Sequence, residues 1–137
     1  MLESILIVDD IPENLSLLHE SLDQAGYQVL VATNGFDAIE IAHRIQPDMI
    51  LLDGSMPEMD GFETCTQLKA SPVTEHIPVI FMTGLTETEH ILKGFQVGGV
   101  DYVTKPLNID EVRARVKTHL LQARLMHQQR QMLDATG

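Results

Sequence analysis

The chain has little cysteine, few basic residues and no long apolar run. Cys65 is the single cysteine among 137 residues, which excludes an internal disulfide and any zinc site built from several cysteines. A reducing compartment, the cytoplasm, fits this cysteine usage. Nine Lys and Arg residues stand against 20 Asp and Glu residues. The resulting net charge of −11 argues against a nucleic-acid or anionic-membrane partner, because both require clustered cations.

Hydrophobic stretches are frequent in the sequence, but each of them is short. None approaches the roughly 20 residues that a bilayer-spanning helix needs. The first four residues also lack the basic region and apolar stretch of a signal peptide. With 44% hydrophobic residues, a chain of this length can bury the core of one domain. We therefore expect a single cytoplasmic domain without a membrane segment.

Short apolar runs alternate with helical patterns five times along the chain. The runs predict strands at residues 5–8, 28–32, 49–52, 78–82 and 100–103. Between them, apolar residues recur at helical spacing, and Thr86-Glu87-Thr88-Glu89 has the spacing of a capping box before the fourth helix. Strands that are apolar on both faces and separated by helices indicate a parallel sheet covered on both sides. The sequence therefore predicts a doubly wound α/β domain with a five-stranded sheet in three layers.

The last predicted helix is longer than such a domain requires. It would run from Ile109 to about Leu133, or roughly 37 Å at about 1.5 Å per residue, whereas a strand of five or six residues covers only about 17–20 Å. Beyond the part that can pack on the sheet, Leu121, Leu125 and Met132 form a sparse apolar stripe. This segment is either a frayed, solvated tail or a connecting helix that pairs with a second copy or leads into an output domain.

Polar residues follow four of the predicted strands at the points where the strands end. They are Asp9-Asp10, Asp53, Thr83 and Lys105. Right-handed crossovers place the carboxyl ends of parallel strands at one edge of the sheet, where such folds bind ligands. Each residue alone fits an ordinary turn, cap or loop role. Their joint placement predicts one shared site.

Three carboxylates at one sheet edge would repel each other unless a cation neutralised them. Mg²⁺ fits because it accepts a few carboxylates together with water and phosphate oxygens, and no His or Cys lies nearby in sequence to favour zinc. A carboxylate can also attack phosphorus and form an aspartyl phosphate. The metal, the Lys105 ammonium and the Thr83 hydroxyl or nearby N–H groups could then neutralise the phosphoryl oxygens. Spacing alone leaves open which aspartate is attacked.

The segments around these positions resemble the receiver domain of two-component response regulators. The resemblance rests on Val8-Asp9-Asp10, on residues 51–61, on Met82-Thr83-Gly84 and on residues 101–106. It covers the chain from about residue 4 to residue 123. It implies the fold of the bacterial chemotaxis regulator, with strand order 2-1-3-4-5. It also divides the chain into a receiver domain at 1–123 and a helical extension at 124–137 that serves as a linker or dimerisation segment.

The resemblance assigns the acidic residues their roles. Asp53 would be the phosphate acceptor and one of the Mg²⁺ ligands. Asp10 would ligate the metal directly, and Asp9 would act largely through water. The backbone carbonyl of Ser55 would complete the metal shell. Gly54 follows the acceptor at a position where many relatives carry a larger residue.

The remaining matched residues would sense the phosphoryl group. Thr83 would swing toward it, and Lys105 would bind it, with a typically cis bond to Pro106. Tyr102 would be the aromatic switch that turns inward on phosphorylation. Gly84 matches a position kept small so that donor and water can approach.

The resemblance implies a signalling switch that turns over no separate substrate. A histidine kinase or a phosphotransfer protein would donate the phosphoryl group. Phosphorylation would then change the face made by helix 4, strand 5 and helix 5, which would control a partner, an output domain or a homodimer formed there or through the last helix.

Two other classes of protein share parts of this pattern. A phosphohydrolase of the haloacid dehalogenase type also uses an aspartyl phosphate, a lysine and Mg²⁺, but it needs an Asp-x-Asp pattern after the first strand and a cap domain. An FMN carrier of the flavodoxin type needs a loop rich in Ser, Thr and Gly where Asp9-Asp10-Ile11-Pro12 stands.

Overall fold

Five strands alternate with five helices in the part of the chain that the structure describes. The computed structural model describes residues 2–84 and 88–136, with side chains through residue 133. The elements are β1 (Ser4–Val8), α1 (Pro12–Gln24), β2 (Gln28–Ala32), α2 (Gly35–Ile45), β3 (Met49–Asp53), α3 (Gly61–Lys69), β4 (Val79–Gly84), α4 (Thr88–Gln96), β5 (Asp101–Lys105) and α5 (Ile109–Thr136). All strand pairs are parallel, in the order β2-β1-β3-β4-β5. The predicted doubly wound α/β fold is confirmed.

The two faces of the sheet build two separate hydrophobic cores. Along β1, Ile5 and Ile7 point to one face, where residues of α1 and α5 cover them. Leu6 and Val8 point to the other face, where residues of α2 and α3 cover them. All four side chains are fully buried. Alternate residues of β1 are buried on opposite faces of the sheet. Because both faces are covered, every residue from Ile5 to Val8 is apolar.

Three of the site-bearing strands run further than their apolar runs predict. β4 continues to Gly84, and β5 continues to Lys105, because these two residues pair in the parallel ladder. Asp53 likewise is the last residue of β3 and pairs with Met82. The ladder is made by backbone groups, so a polar side chain does not end it. Asp53, Thr83 and Lys105 are therefore strand residues held in the sheet, whereas Asp9 and Asp10 follow β1 as predicted.

Side-chain caps fix where several helices begin. The Asn108 side chain accepts a hydrogen bond from the Glu111 N–H at 3.1 Å and so caps the start of α5. Asp60 accepts one from the Glu63 N–H at 2.8 Å and so begins α3. A Cβ atom at Gly61 would overlap the Asp53 carbonyl oxygen, so glycine lets α3 begin directly beside the end of β3. The predicted capping box at Thr86 falls partly on residues 85–87, which lie outside the described residues.

The last helix is one continuous element of 28 residues, or about 42 Å at about 1.5 Å per residue. Its last buried residue is Leu120, and the helix crosses the predicted boundary at residue 123 without a break. Among residues 2–84 and 88–136, no helix combines the length and apolar character needed to cross a membrane. The helix thus extends well past the sheet that it covers.

Candidate functional site

The common edge of β1, β3 and β5 brings predicted site residues into direct contact. The Lys105 Nζ atom lies 3.1 Å from Asp9 Oδ2 and 3.3 Å from Asp53 Oδ1. Asp10 is exposed beside them, and Asp9, Asp10 and Asp53 each offer a carboxylate oxygen within 4.8 Å of the others. The structure therefore groups three acids and one amine that are spread over almost the whole sequence.

Asp9 is fully buried, and its carboxylate accepts hydrogen bonds from three donors. Its Oδ1 atom accepts the Ile11 N–H at 2.9 Å. Its Oδ2 atom accepts the Asn14 side-chain amide at 3.1 Å as well as the Lys105 ammonium. Asn14 was missed by the sequence reasoning, and its only signal is its position in the first turn of α1. These contacts hold the carboxylate rigidly at the end of β1.

Asp53 is also buried, with 3% of its surface exposed. Its Oδ1 atom accepts the Ser55 N–H at 3.1 Å. Burial raises the pKa of Asp53 to about 6, and repulsion from Asp9 adds to this, while the Ser55 N–H and Lys105 offset only a part. Burial also acts against the Lys105 ammonium, but the carboxylates of Asp53 and Asp9 outweigh it and raise the lysine pKa. The single positive charge of Lys105 therefore does not fully neutralise the negative charges of the two buried carboxylates.

The acidic group has the chemistry of a site for a hard cation. Its donors are carboxylate oxygens, two from buried residues and one from the exposed Asp10, an arrangement that leaves room for water ligands. Burial and the neighbouring Asp9 raise the pKa of Asp53 despite Lys105, so a further cation would favour its ionised form. These residues can hold a metal ion, whereas the predicted role of the Ser55 carbonyl stays a prediction.

Thr83 lies at the same edge, one residue before the end of β4. It is 3% exposed, and its hydroxyl has no hydrogen-bond partner among the residues that the structure describes. A buried hydroxyl without a partner is unusual, because it forfeits its hydration. The hydroxyl is thus available to a ligand that arrives at this edge.

Tyr102 lies further back along β5, where it pairs with Phe81 of β4. It is half-buried, and its ring meets Phe95 of α4 edge-on, with centroids 6.2 Å apart. The Lys105–Pro106 peptide bond is cis, as the resemblance implied. Tyr102 therefore sits between the site edge and α4.

A cavity of about 450 Å³ opens beside the end of β3. Its walls are Gly54, Ser55, Met56, Pro57, Asp60, Phe62, His90 and Lys93. The Phe62 ring stacks on Phe81 at 5.1 Å, and the Lys93 Nζ atom lies 4.9 Å from the centre of the Phe62 ring. A Cβ at Gly54 would approach Phe62 Cζ to 3.2 Å. The sequence reasoning missed this contribution of α4, since nothing in the spacing joins residues 54 and 93.

Comparisons with known proteins give a consistent result. A family model described as the response regulator receiver domain matches residues 5–117. Sporulation initiation phosphotransferase F from Bacillus subtilis is 40% identical over 120 residues, which are 88% of this chain and 95% of that protein. A probable cyclic di-GMP phosphodiesterase from Vibrio cholerae is 47% identical over 117 residues, which are 85% of this chain and 26% of that protein.

A solved structure shares the fold as well. The receiver domain of a sensor histidine kinase from Pseudomonas aeruginosa, with a magnesium ion coordinated in its active-site cleft, superposes with a TM-score of 0.81. It is 27% identical, and the match covers 88% of this chain and 98% of that one. This chain spans between 26% and 48% of the length of the first curated relatives it matches. Because the family model matches most of the chain, and a relative covered to 95% of its length is 40% identical, the chain belongs to the response regulator receiver domain family.

Proposed function

We propose that this chain is a phosphorylation-controlled signalling switch whose phosphate acceptor is Asp53. The observation that carries the proposal is the placement of this buried carboxylate, 3.3 Å from Lys105 and beside two further acids at the open edge of the sheet. Membership of the receiver family supports it. The haloacid dehalogenase and flavodoxin alternatives find no support in the comparisons, which all lead to receiver domains.

The proposed reaction is transfer from a phosphohistidine on a histidine kinase or a phosphotransfer protein. A carboxylate oxygen of Asp53 attacks phosphorus, the P–N bond breaks, and the imidazole leaves with a proton from solvent. Water later cleaves the aspartyl phosphate and restores the carboxylate. The chain turns over no separate substrate, so its product is its own modified state.

Asp9, Asp10 and Asp53, together with the Ser55 carbonyl, would hold Mg²⁺. The ion, when bound, supplies the positive charge that the phosphoryl oxygens require. Lys105 supplies a second positive charge, and its two ion pairs hold its ammonium at the site before any phosphate arrives. The magnesium ion in the similar receiver from Pseudomonas aeruginosa supports this assignment.

The proposed readout begins at Thr83 and Tyr102. The Thr83 hydroxyl gains a phosphoryl oxygen as its hydrogen-bond acceptor and moves toward Asp53, which vacates space for Tyr102 to turn inward. The face formed by α4, β5 and α5 changes with it. A shift from 1:99 to 99:1 requires about 5.5 kcal/mol, and charge-assisted bonds to Lys105 and Thr83 supply a part of this energy.

The signal would pass to another module or protein. The relative from Vibrio cholerae is about four times as long as the matched segment, which supports an output domain joined through residues 124–137. Alternatively, the changed face of α4, β5 and α5 could form a homodimer. Both assignments are proposals about the protein in its full context.

The test of the acceptor uses labelled acetyl phosphate or phosphoramidate with Mg²⁺. Asp53→Asn should abolish incorporation of phosphate, because an amide cannot form the acyl phosphate. Glu58→Gln is the matched control, since it removes an exposed acid from the same loop and should leave labelling unchanged. Undiminished labelling of Asp53→Asn would show that a different residue is the nucleophile.

A further inference from the structure

Asn14 lies in the first turn of α1 and is half-buried. Its side-chain amide donates a hydrogen bond to Asp9 Oδ2 at 3.1 Å. Asparagine is a weak helix former, and this side chain does not cap its own helix, because the N-cap residue is Ile11. Pro12 at the first helical position already favours the start of the helix. The Asn14 side chain therefore serves the acidic edge of the sheet rather than the helix that carries it.

The carboxylate of Asp9 has little capacity left for a metal ion. An ionised carboxylate has about four lone-pair sites. Oδ1 accepts the Ile11 N–H at 2.9 Å, and Oδ2 accepts both the Asn14 amide and the Lys105 ammonium at 3.1 Å. Both sites of Oδ2 are therefore filled, and about one site remains on Oδ1. Any turn of this carboxylate toward an ion would strain these three contacts.

The other two acids keep more of their oxygen atoms open. Asp10 is exposed, and its carboxylate has no hydrogen-bond donor among the residues that the structure describes. Within the same part of the chain, Asp53 Oδ2 has none either, since Ser55 and Lys105 both contact Oδ1. An ion at this edge can therefore bind Asp10 and Asp53 through open oxygens, whereas Asp9 is held by its neighbours.

We propose that Asn14 is a positioning residue that makes the site prefer Mg²⁺ to Ca²⁺. This role rests on the proposed Mg²⁺ site, and it gives that site a cause of selectivity. By filling Oδ2, Asn14 and Lys105 leave Asp9 no second oxygen for a bidentate contact. The protein then offers few direct ligands, and the remaining positions around an ion fall to water.

The two cations differ in the ligands that they require. Mg²⁺ prefers octahedral geometry, loses its water reluctantly and is usually held by one or two carboxylates. Ca²⁺ takes about six to eight oxygen ligands, and carboxylates often bind it through both oxygens. A third carboxylate that is free to turn would therefore help Ca²⁺ more than Mg²⁺. Loss of the Asn14 amide would free one site on Asp9 Oδ2 and so supply such a ligand.

The first test is calorimetric titration of the chain with Mg²⁺ and, separately, with Ca²⁺. Asn14→Leu removes the amide donor without adding charge, and leucine favours the helix. The variant should raise Ca²⁺ affinity relative to Mg²⁺ affinity about tenfold, a typical effect for residues that orient metal ligands. Ser16→Leu is the matched control, because Ser16 is exposed about 200° around the same helix and should leave the ratio unchanged.

An unchanged ratio in Asn14→Leu, including an equal loss of affinity for both ions, would show a purely structural role and overturn this proposal. If the wild type then binds Mg²⁺ and is labelled at Asp53, the proposed function still stands. A wild-type chain that binds neither ion would overturn the Asn14 role together with the proposed Mg²⁺ site.

The second test counts the water molecules on the bound ion. Mn²⁺ is the probe, since it is paramagnetic and takes the same oxygen ligands as Mg²⁺. Water-proton relaxation then reports how many water molecules the ion keeps. In Asn14→Leu the ion should keep one water molecule fewer than in the wild type, because an Asp9 oxygen replaces it, and in Ser16→Leu the count should not change. Equal counts in the wild type and Asn14→Leu would contradict the role given to Asn14.

Discussion

Lys105 forms ion pairs with both Asp9 and Asp53, and all three side chains lie at the carboxyl-terminal edge of the sheet. A single ammonium beside two buried carboxylates leaves negative charge that the fold must tolerate until a cation or a phosphoryl group arrives. The raised pKa of Asp53 corresponds to this cost, because burial disfavours the ionised carboxylate. The arrangement of these three residues therefore lowers the free energy of unfolding of the metal-free protein.

Removing the Asp53 charge should therefore stabilise the metal-free protein. The pKa of Asp53 in the fold, about 6, lies above its unfolded value near 4. The cost of its ionised form is present above about pH 6 and disappears as the pH falls toward 4. At pH 8 in EDTA, Asp53→Asn should gain about 1–2 kcal/mol in urea unfolding after allowance for solvent screening.

The gain of Asp53→Asn should shrink at pH 4 and also when Mg²⁺ is added at pH 8, because the proton or the metal then neutralises the wild-type carboxylate. Asp48→Asn, at the other end of the same strand, serves as the control for a general effect of charge. A variant less stable than the wild type in EDTA would contradict this account of the site.

Besides the apolar packing of α5 on the sheet, one aspartate of β5 contacts two polar residues of the helix. Asp101 accepts two hydrogen bonds from Arg115 NH1, at 3.0 and 2.8 Å, and pairs with His119 Nε2 at 2.9 Å. Burial acts against the Asp101 carboxylate, but hydrogen bonds from His119, the Tyr102 N–H and Arg115 outweigh it and lower the pKa of Asp101. This cluster fixes the long helix against the strand that carries Tyr102.

Loss of the Asp101 charge should loosen this connection. Asp101→Asn should cost about 0.5–1 kcal/mol at pH 7 in urea unfolding, because the pairs are partly exposed. The pKa of Asp101 is lowered in the fold, so its stabilisation is present above its unfolded value near 4 and is lost as the pH falls further. Glu111→Gln, which removes a longer contact to Arg115 of 3.3 Å, should cost less. An unchanged penalty at pH 3 would show that the charge is not responsible.

Elements were easier to predict from sequence than the contacts between them. The apolar run from Ile5 to Val8 predicts a buried strand. The Asn108 cap marks the start of α5. Arg115 and His119 lie four residues apart on one helical face, but their partner at residue 101 belongs to another element. Such a contact depends on how α5 packs on β5, which spacing within either segment does not encode.

The whole molecule places its acids, its amine and its buried hydroxyl at one edge of a single sheet. The rule that parallel strands end together was sufficient to predict this grouping from scattered residues. What the rule could not supply is the fine geometry. Three contacts depend on side-chain packing between elements: the amide of Asn14 on Asp9, the contribution of Lys93 to the cavity, and the lack of a partner for the Thr83 hydroxyl among the described residues.

Lys105 should matter for transmission more than for metal binding. Lys105→Ala should retain or strengthen Mg²⁺ affinity in calorimetric titration, because it leaves two carboxylates without their cation. It should, however, lose most of the change in amide exchange that beryllofluoride produces in α4 and β5 of the wild type. Lys93→Gln is the control, since Lys93 lies over Phe62 rather than between the carboxylates. Undiminished exchange changes in Lys105→Ala would remove the role assigned to this lysine.

Asp53 and the carboxyl end of α5 lie at opposite ends of the sheet, because α5 runs back along the strands after β5 ends at Lys105. A phosphodonor that reaches Asp53 would therefore leave the last turns of α5 accessible. Any coupling between the two ends would have to run along β5 and α5. The contacts that Asp101 makes with Arg115 and His119 are a point at which a single substitution could interrupt it.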